Sequence, residues 1–555
     1  MRIRDLPTGR ALETENIGAK RSRPFYQSAR TVALFEPRIE LIRKQLLSLL
    51  AVVDLEKDGE VVAVDGFRLK NLHDWLAPST GDPLEVYGYG GSRCDANCVF
   101  CYHKGNPSSI AFGNDYRTAA EAHHEMVTRL KYFSPRARSA LFASLGNVHE
   151  ILTNQHVIEI LSVLREKTER PFRITTNGHQ LTSALIEALA KLKPVYLHLS
   201  LHSASESRRR ELVRSPSAPV AIKALPLLRA AEIPYAVVIV PWPSSSVEEL
   251  IDDLDATVAY VDAFDPHLIE VHLPGYSQYF SPEKLFDREE TWSALVGAVR
   301  GLRERTTTPI VIMPSMYEEN LYEERKNLAT VIGLVKNSPA ARSGLAVGDL
   351  ITAVNGIAIS SRPQARDFLS LLARSGATLG KLTVRRSGRM LTVNVNLQDY
   401  AYPYEAETSS HLGVVMMGTG LRTSALERLK EIIDERKAGR VLFLTSTLMK
   451  PSLQQALRES PFFGAPNLLL DLAIPRNRFF GGNIIMGDLL VVQDFIDAVE
   501  EHLAAGNARP DLIVIPSTPF GLGRFKRDLT GRVFLDIERQ VGIPVALLDC
   551  DTIYD

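Results

Sequence analysis

The chain has 555 residues, of which 45% are hydrophobic and 23% are charged, and its formal net charge is -1. This length predicts several domains with buried cores, and the near-neutral charge excludes an overall electrostatic attraction to nucleic acid or to a membrane surface. No apolar run approaches the roughly 18 residues that span a bilayer. The polar residues 1–16 lack the apolar core of a signal peptide, so we expect a cytoplasmic protein with no nucleic-acid and no membrane partner.

Residues 1–80 predict a small α/β segment, and strands then alternate with helices from residue 81 to residue 318. The strand candidates are residues 84–90, 140–146, 172–178, 195–203, 235–241, 268–274 and 309–315. Alternation of this kind predicts a parallel sheet. The fold class is therefore α/β, with a partial (β/α)6 TIM-like barrel whose strand carboxyl ends would carry the chemistry.

Two further domains are expected after the barrel. Residues 326–398 are rich in short β patterns, and a polar run follows at residues 398–411. Residues 411–555 return to strand–helix alternation, which predicts a C-terminal α/β domain.

Three of the four cysteines fall within eight residues, at Cys94, Cys98 and Cys101. They follow the first strand of the predicted barrel, so the loop that bears them would lie at the carboxyl edge of the sheet. Three thiolates this close can each reach a different iron of one 4Fe–4S cubane and leave the fourth iron open.

The alternative is a structural zinc site with His103 as the fourth ligand, although such sites usually pair two Cys-x2-Cys units. Cys550 reads as a buried small apolar residue.

The spacing Cys-x3-Cys-x-aromatic-Cys, with Phe100 as the aromatic residue and Tyr102 after the third cysteine, resembles the radical S-adenosylmethionine (SAM) superfamily. The resemblance implies one 4Fe–4S cluster bound by the three cysteines. It also implies SAM as a second cofactor, cleaved by reduction to a 5′-deoxyadenosyl radical that abstracts hydrogen from a substrate. A reductant such as ferredoxin or flavodoxin would then be a partner.

The same resemblance suggests a SAM pocket at successive strand ends. Ser144, Gly146 and Asn147 stand where the family often has Gly-Gly-Glu, and they depart from that pattern. Asn177 ends the third strand candidate. Ser200 and His202 lie in a segment that resembles the fourth-strand region of the family, which approaches the ribose and the methionyl carboxylate of SAM. With Phe100 and Tyr102, these residues are the predicted cofactor-binding set, although each alone could equally be a turn, cap or core residue. Catalytic residues are not assigned.

Residues 338–359 resemble a bacterial PDZ domain. Such domains usually bind a peptide carboxyl terminus by strand addition, with a carboxylate-binding loop expected here near residues 327–334. Because that segment lacks the usual glycine-rich loop, an intramolecular spacer or a cover for the barrel is the alternative. Residues 417–420 could form an anion-binding turn or a plain tight turn.

The C-terminal stretch around Asn477, Arg478, Phe479, Phe480 and Gly481 resembles a domain of predicted FeS oxidoreductases that also combine radical SAM and PDZ domains. These five residues could supply substrate contacts or form a structural turn.

Three polar or aromatic residues after the strands, and one run of arginines, also indicate where side chains lie. Trp242, His272 and Tyr276 follow strands and could line the substrate side of the barrel, and residues 208–210, three arginines in a row, read as a solvated helix face. The predicted activity is a radical SAM enzyme of oxidoreductase or transferase type, acting on an unknown small molecule or peptide. The rivals are a PDZ-bearing binding protein with a structural metal site and an enzyme that uses SAM as a methyl donor.

Overall fold

The computed structural model describes residues 94–107, 150–243, 246–397, 411–418, 420–463, 468–520 and 526–550, with short strands at 55–57, 60–62 and 85–86 and helical residues 120, 123, 124, 126, 127 and 130. In the predicted N-terminal segment it describes only the hairpin strands β1 (Leu55–Lys57) and β2 (Glu60–Val62). The strand expected at residues 140–146 lies outside the described residues.

Six of the strands that the structure describes run parallel in the main sheet, and they neighbour one another in chain order. They are β3 (Glu85–Val86), β4 (Phe172–Thr176), β5 (Val195–Ser200), β6 (Tyr235–Ile239), β7 (Leu268–His272) and β8 (Ile310–Met313). The helices of this region are α1 (Val157–Arg165), α2 (Ser183–Ala190), α3 (Glu206–Val213), α4 (Ala218–Ala230), α5 (Val247–Asp262), α6 (Arg288–Arg303) and α7 (Ser315–Tyr322). The prediction of an α/β fold with a partial barrel is confirmed. Among the described strands, β3 and β8 are the two edges, so the barrel is not closed.

Most of these helices begin where the sequence supplies a capping side chain. Thr182, Ser205, Ser246 and Asp287 each accept a hydrogen bond from the backbone N–H three residues later, at the starts of α2, α3, α5 and α6. Such caps satisfy backbone donors that the first helical turn leaves free. They fix where each helix leaves the carboxyl end of its strand.

Alternate side chains of each strand point to opposite faces of the sheet. On β5, Val195, Leu197 and Leu199 join the apolar core shared with the helices. Tyr196 faces the other way and joins a separate cluster. The second face is the interior of the partial barrel, and it carries polar groups toward the carboxyl ends of the strands.

The PDZ region is a compact β unit. A four-stranded antiparallel sheet runs in the order β11-β10-β12-β13, and a separate pair joins β9 to β14. The elements are β9 (Val331–Leu334), α8 (Pro339–Arg342), β10 (Leu350–Val354), β11 (Ile357–Ala358), α9 (Arg362–Arg374), β12 (Leu379–Arg386), β13 (Arg389–Asn396) and β14 (Val414–Met416).

Strand β14 belongs to the PDZ region by its contacts, although its residues were expected in the C-terminal domain. It pairs antiparallel with β9, and Leu412, Val414 and Met416 lie in the PDZ core. Gly413 precedes it with φ +83°, and a Cβ there would overlap the side chain of Ser338. The carbonyls at 417 and 418 accept hydrogen bonds from Arg366, and Arg362 Nε donates to the latter at 2.8 Å. Residue 419 lies outside the described residues, so the turn expected at residues 417–420 stays a prediction.

The β9–β14 pair covers the amino ends of the barrel strands. Val335 and Val415 pack with Tyr196, Ala236 and Leu268, each at most 2% exposed. The PDZ region therefore covers the end of the barrel opposite to the cysteine loop. A cover for the barrel was one of the alternatives expected for this region.

The C-terminal domain contains a four-stranded parallel sheet in the order β16-β15-β17-β18. Its elements are α10 (Thr423–Arg436), β15 (Arg440–Leu444), α11 (Lys450–Glu459), β16 (Leu469–Ala473), α12 (Val492–Ala504), β17 (Leu512–Pro516), α13 (Leu535–Val541) and β18 (Val545–Leu548). One face of this sheet has its own core, and the other shares the large core of the barrel helices.

Candidate functional site

The cysteine loop is fastened to the carboxyl end of the parallel sheet. The N–H groups of Asn97 and Val99 donate to the last two carbonyls of α3, at 2.9 and 2.8 Å. Phe100 packs edge-on against His202, with ring centroids 4.5 Å apart. Because His202 lies just after β5, the aromatic residue of the cysteine motif ties the loop to a strand end.

The three clustered thiols are free and half-buried. Burial raises the pKa of Cys98 to about 12, and the neighbouring Cys101 and Cys94 add to the rise. Burial also raises the pKa of Cys94. Grouped thiolates are therefore disfavoured here unless a cationic centre binds them, and coordination to metal deprotonates thiols outright.

The donor chemistry of the cysteine loop can be compared with what an iron–sulfur cluster requires. A cubane takes one thiolate at each of three separate irons, so its ligands do not converge on one point. The donor set of Cys94, Cys98 and Cys101 thus fits an iron–sulfur cluster.

A polar network links Cys94 to the end of β4. The side-chain amide of Asn177 lies 3.7 Å from Cys94 Sγ and donates to Asp95 Oδ1 at 2.7 Å. His179 Nδ1 lies 3.2 Å from Asp95 Oδ1, and Gln180 Nε2 donates to Oδ2 at 2.9 Å. Burial opposes ionisation of Asp95, but the hydrogen bonds from His179, Asn177 and Gln180 hold its pKa at about 2. This carboxylate therefore positions the first cysteine against the predicted site residue Asn177.

Glu150 is a buried carboxylate behind the same strand end, 3% exposed. It accepts hydrogen bonds from Asn177 N–H at 2.7 Å, from the Thr176 hydroxyl at 2.8 Å and from Leu152 N–H at 3.3 Å. Burial raises its pKa to about 7, against the effect of these donors. Glu150 thus fixes the backbone from which Asn177 reaches the cysteine loop.

Arg209 is fully buried beneath the site, so the expectation that all three arginines at 208–210 are solvated is wrong at this position. Its guanidinium donates to carbonyls from three segments, namely Ala218 at 2.8 Å, Ser200 at 3.0 Å with the adjacent Leu201, and Asn177 at 2.6 Å. The side chain therefore joins the ends of β4 and β5 to the start of α4.

The other predicted cofactor residues lie around this network. Ser200 ends β5, and Tyr102 begins a short 3-10 turn (Tyr102–Gly105) and is 73% exposed. His202 is buried at φ +67°, and its Nδ1 accepts from Val240 N–H at 3.3 Å. Burial holds the pKa of His202 well below its ordinary value, so the ring is neutral. Ser144, Gly146 and Asn147 lie outside the described residues.

Two of the three residues expected on the substrate side are packing residues. Trp242 and Tyr276 are 8% and 6% exposed, and they share an aromatic cluster with Phe100, Phe280 and Phe286 beneath the cysteine loop. This cluster supports the loop rather than an open cavity.

His272, in contrast, is 41% exposed and belongs to a polar group inside the barrel. Its Nε2 lies 3.3 Å from Glu270 Oε2, and His198 Nδ1 lies 3.9 Å from Glu270 Oε1. Burial lowers the pKa of His198, and its buried Nε2 has no hydrogen-bond partner among the described residues. The group could bind a polar ligand between the strands.

Asp95, Glu150 and Arg209 were missed as site residues. Asp95 directly follows the first cysteine, and this position could have indicated its role. Glu150 lies about fifty residues after the cysteine motif, so its contact with the end of β4 depends on the fold. Arg209 carried no signal, because nothing local distinguishes it from its two neighbours.

Residues 89–256 match the model of the radical SAM superfamily, and residues 320–397 match the PDZ domain model. The chain therefore contains a radical SAM domain followed by a PDZ domain. The resemblance of these two regions to the two families is confirmed. No curated protein sequence matches the chain. No helix among the described residues combines the length and apolar character of a membrane span.

Similar solved structures include SuiB of Streptococcus suis bound to its precursor peptide SuiA, with 18% identity and a TM-score of 0.32, over 52% of this chain and 64% of SuiB. SuiB bound to S-adenosylmethionine is similar at 18% identity and a TM-score of 0.31, over 50% of this chain and 61% of SuiB. The matched region is less than two thirds of either SuiB chain.

Proposed function

We propose that the protein is a radical SAM enzyme that binds one 4Fe–4S cluster through Cys94, Cys98 and Cys101. The observation that carries the proposal is the placement of three grouped, half-buried thiols at the carboxyl end of a parallel sheet. When bound, the cluster would supply the electron that cleaves SAM to methionine and a 5′-deoxyadenosyl radical. The radical would abstract hydrogen from a substrate inside the barrel.

The residues of the chain have positioning roles in this proposal. Asp95 and Asn177 orient the first cysteine, and Arg209 places a fixed positive charge beneath the thiolates. The aromatic cluster of Phe100, Trp242 and Phe280 packs against the inner side of the loop and supports it. The proposed SAM contacts are Asn177, Ser200, His202, Phe100 and Tyr102, together with Ser144, Gly146 and Asn147.

The polar group of His198, Glu270 and His272 supports a substrate site within the barrel. Its buried acceptors and donors could bind and orient a polar small molecule or part of a peptide. A one-electron reductant such as ferredoxin or flavodoxin would approach the exposed side of the cysteine loop, where Tyr102 lies.

The test is anaerobic reconstitution with iron and sulfide, followed by dithionite and SAM. We expect iron–sulfur absorbance and formation of 5′-deoxyadenosine, measured by liquid chromatography and mass spectrometry. The triple Cys94→Ala, Cys98→Ala, Cys101→Ala variant should lose both signals. Cys550→Ala is the matched control and should keep them.

Three outcomes would contradict the proposal. Zinc bound in place of an iron–sulfur cluster would favour a structural metal site. S-adenosylhomocysteine in place of 5′-deoxyadenosine would favour methyl transfer. Cleavage of SAM by the triple variant would show that the ligand assignment is wrong.

A further inference from the structure

The turn at residues 477–483 is built as a rigid part of the C-terminal domain. The Asn477 amide donates to Leu489 O at 3.0 Å, and its Oδ1 accepts from Phe480 N–H at 2.9 Å. Asp494 on α12 accepts from the N–H groups of Arg478 and Phe479 at 2.9 and 3.2 Å. The turn therefore moves with α12 and cannot change shape without breaking these bonds.

The outer side of this turn binds the loop that follows β7. Tyr276 N–H donates to Asn483 Oδ1 at 2.7 Å, and Asn483 N–H donates back to Tyr276 O at 3.0 Å. Gln278 N–H donates to Phe480 O at 2.7 Å, and its side-chain amide donates to the carbonyls of Arg478 and Phe479 at 3.0 and 2.9 Å. Five hydrogen bonds thus join two segments that lie about two hundred residues apart in the chain.

The approach is so close that it requires glycine. Gly482 has φ +59°, and a Cβ there would overlap the carbonyl oxygen of Tyr276. At Gly481, with φ +58°, a Cβ would lie 3.0 Å from the Gln278 side chain. Glycine therefore serves both the left-handed backbone and the contact with the barrel loop.

The same barrel loop supports the cysteine loop on its other side. Ser277 Oγ donates to Gly105 O at 2.5 Å, and a Cβ on Gly105 would lie 2.8 Å from that hydroxyl oxygen. Phe280 packs with Trp242 in the cluster that also contains Cys98 and Phe100. The loop after β7 is consequently held between the C-terminal turn and the cysteine loop.

We infer that Gly482 and Asn483 of the C-terminal domain are positioning residues for the cysteine loop and act through residues 274–280. The inference rests on the proposed function in one respect, since it gives the cysteine loop its role in binding the cluster. Docking of the turn on residues 274–280 limits the opening of the cysteine loop, and so it keeps the three thiols in place. The C-terminal domain is then part of the cofactor site although none of its residues is a predicted ligand.

The test measures thiol alkylation in the full-length apoprotein, freed of metal by a chelator. Iodoacetamide labelling is followed peptide by peptide with mass spectrometry. We expect Gly482→Ala to label Cys98 and Cys101 about fivefold faster or more, because loss of docking favours local opening of the loop. Labelling of Cys550 provides the internal reference and should not change.

Gly506→Ala is the matched control. Gly506 lies in the same domain with φ +79°, and a Cβ there meets no atom within 4 Å. This variant has the same kind of backbone strain without the clash, so Cys98 labelling should stay at the wild-type rate. Equal acceleration in both variants, or none in Gly482→Ala with an unchanged melting curve, would overturn the inference.

A milder pair of variants keeps the test valid if Gly482→Ala does not fold. Gln278→Ala removes two bonds to the turn, and Ser277→Ala removes the bond to Gly105. Each variant should increase the rate of Cys98 labelling. In the double variant the increase should be smaller than the product of the two single increases, because both side chains belong to one series of contacts. Independent, multiplicative effects would contradict the inference.

Iron content separates this inference from the proposed function. If the wild type binds no cluster but labelling responds as expected, the positioning role stands and the radical SAM proposal fails. If the wild type binds a cluster and labelling does not respond, the positioning role fails alone.

Discussion

The two ends of the parallel strands are stabilised by different kinds of interaction. At the amino end, Tyr196, Ala236 and Leu268 bury apolar surface against Val335 and Val415 of the PDZ region. At the carboxyl end, charged and amide side chains such as Asp95, Asn177 and Arg209 connect the strands to the cysteine loop. One end is sealed by non-directional packing and the other is organised by directional hydrogen bonds.

The difference predicts how each end responds to substitution. Apolar burial depends on area and volume, so it tolerates change of shape better than introduction of charge. A hydrogen-bond network depends on the geometry of each donor, so even a conservative change leaves a buried group unpaired. Iron binding should respond to changes at the carboxyl end and be insensitive to changes at the amino end.

The largest effect is expected for Val415→Asp. This change buries an unpaired carboxylate in the apolar contact and should lower the free energy of unfolding by about 4 kcal/mol. The urea midpoint, followed by circular dichroism, measures it. Iron bound per folded chain after reconstitution should be the same as in the wild type, because Val415 lies at the opposite end of the strands from the thiols.

Val347→Asp provides the control for this prediction. Val347 lies in the same PDZ region but is 64% exposed, so its change should cost less than about 0.5 kcal/mol. Equal losses of stability in the two variants would show that the contact between the PDZ pair and the barrel is not maintained in solution.

A smaller loss of stability, but with loss of iron, is expected for Arg209→Lys. Lysine keeps the charge but lacks the planar fork that reaches carbonyls of β4, β5 and α4 together. Two buried carbonyls left unpaired should cost about 2 to 3 kcal/mol. Because Arg209 holds the backbone of Asn177, iron content should also fall.

Arg210→Lys is the matched control, since its side chain is exposed one position later on the same helix. It should change neither the unfolding midpoint nor the iron content. An Arg209→Lys variant with full iron content would show that the carbonyl network is not needed for the cluster.

Much of the barrel and its cysteine site could be predicted because the signals are local. Strand–helix alternation identifies the parallel sheet, and the predicted residues Asn177 and Ser200 lie at the ends of β4 and β5. Three cysteines within eight residues need no tertiary information to be recognised as one site. Asn177 near Cys94 follows from the rule that carboxyl ends of parallel strands meet at one edge.

The parts that were missed depend on contacts between distant segments. Strand β14 pairs with β9 across about eighty residues, so residues after the polar linker complete the PDZ core. Arg209 resembles Arg208 and Arg210 in sequence and differs in being fully buried against the strand ends. The docking of Asn483 on Tyr276 likewise joins two domains, and neither residue predicts the other.

The smallest effect is expected for Glu150→Gln, and it depends on pH. In the folded apoprotein burial raises the pKa of Glu150 to about 7, above the ordinary value of 4.5. A raised folded pKa means that the folded state binds the proton more tightly than the unfolded state does. The stability associated with that proton is present below pH 4.5 and is lost as pH rises through 7, by about 2 kcal/mol between pH 5 and pH 7.

Glu150→Gln should remove this dependence, because glutamine cannot titrate. From pH 5 to pH 7 the urea midpoint of the wild type should therefore fall relative to that of the variant. Urea titrations at each pH measure the two midpoints. Glu187→Gln, at an exposed position on α2, should run parallel to the wild type. If the Glu150→Gln curve is also parallel, then Glu150 is ionised throughout this range. In that case its three hydrogen-bond donors outweigh its burial, and the carboxyl end of the sheet carries a fixed negative charge next to the cysteine loop.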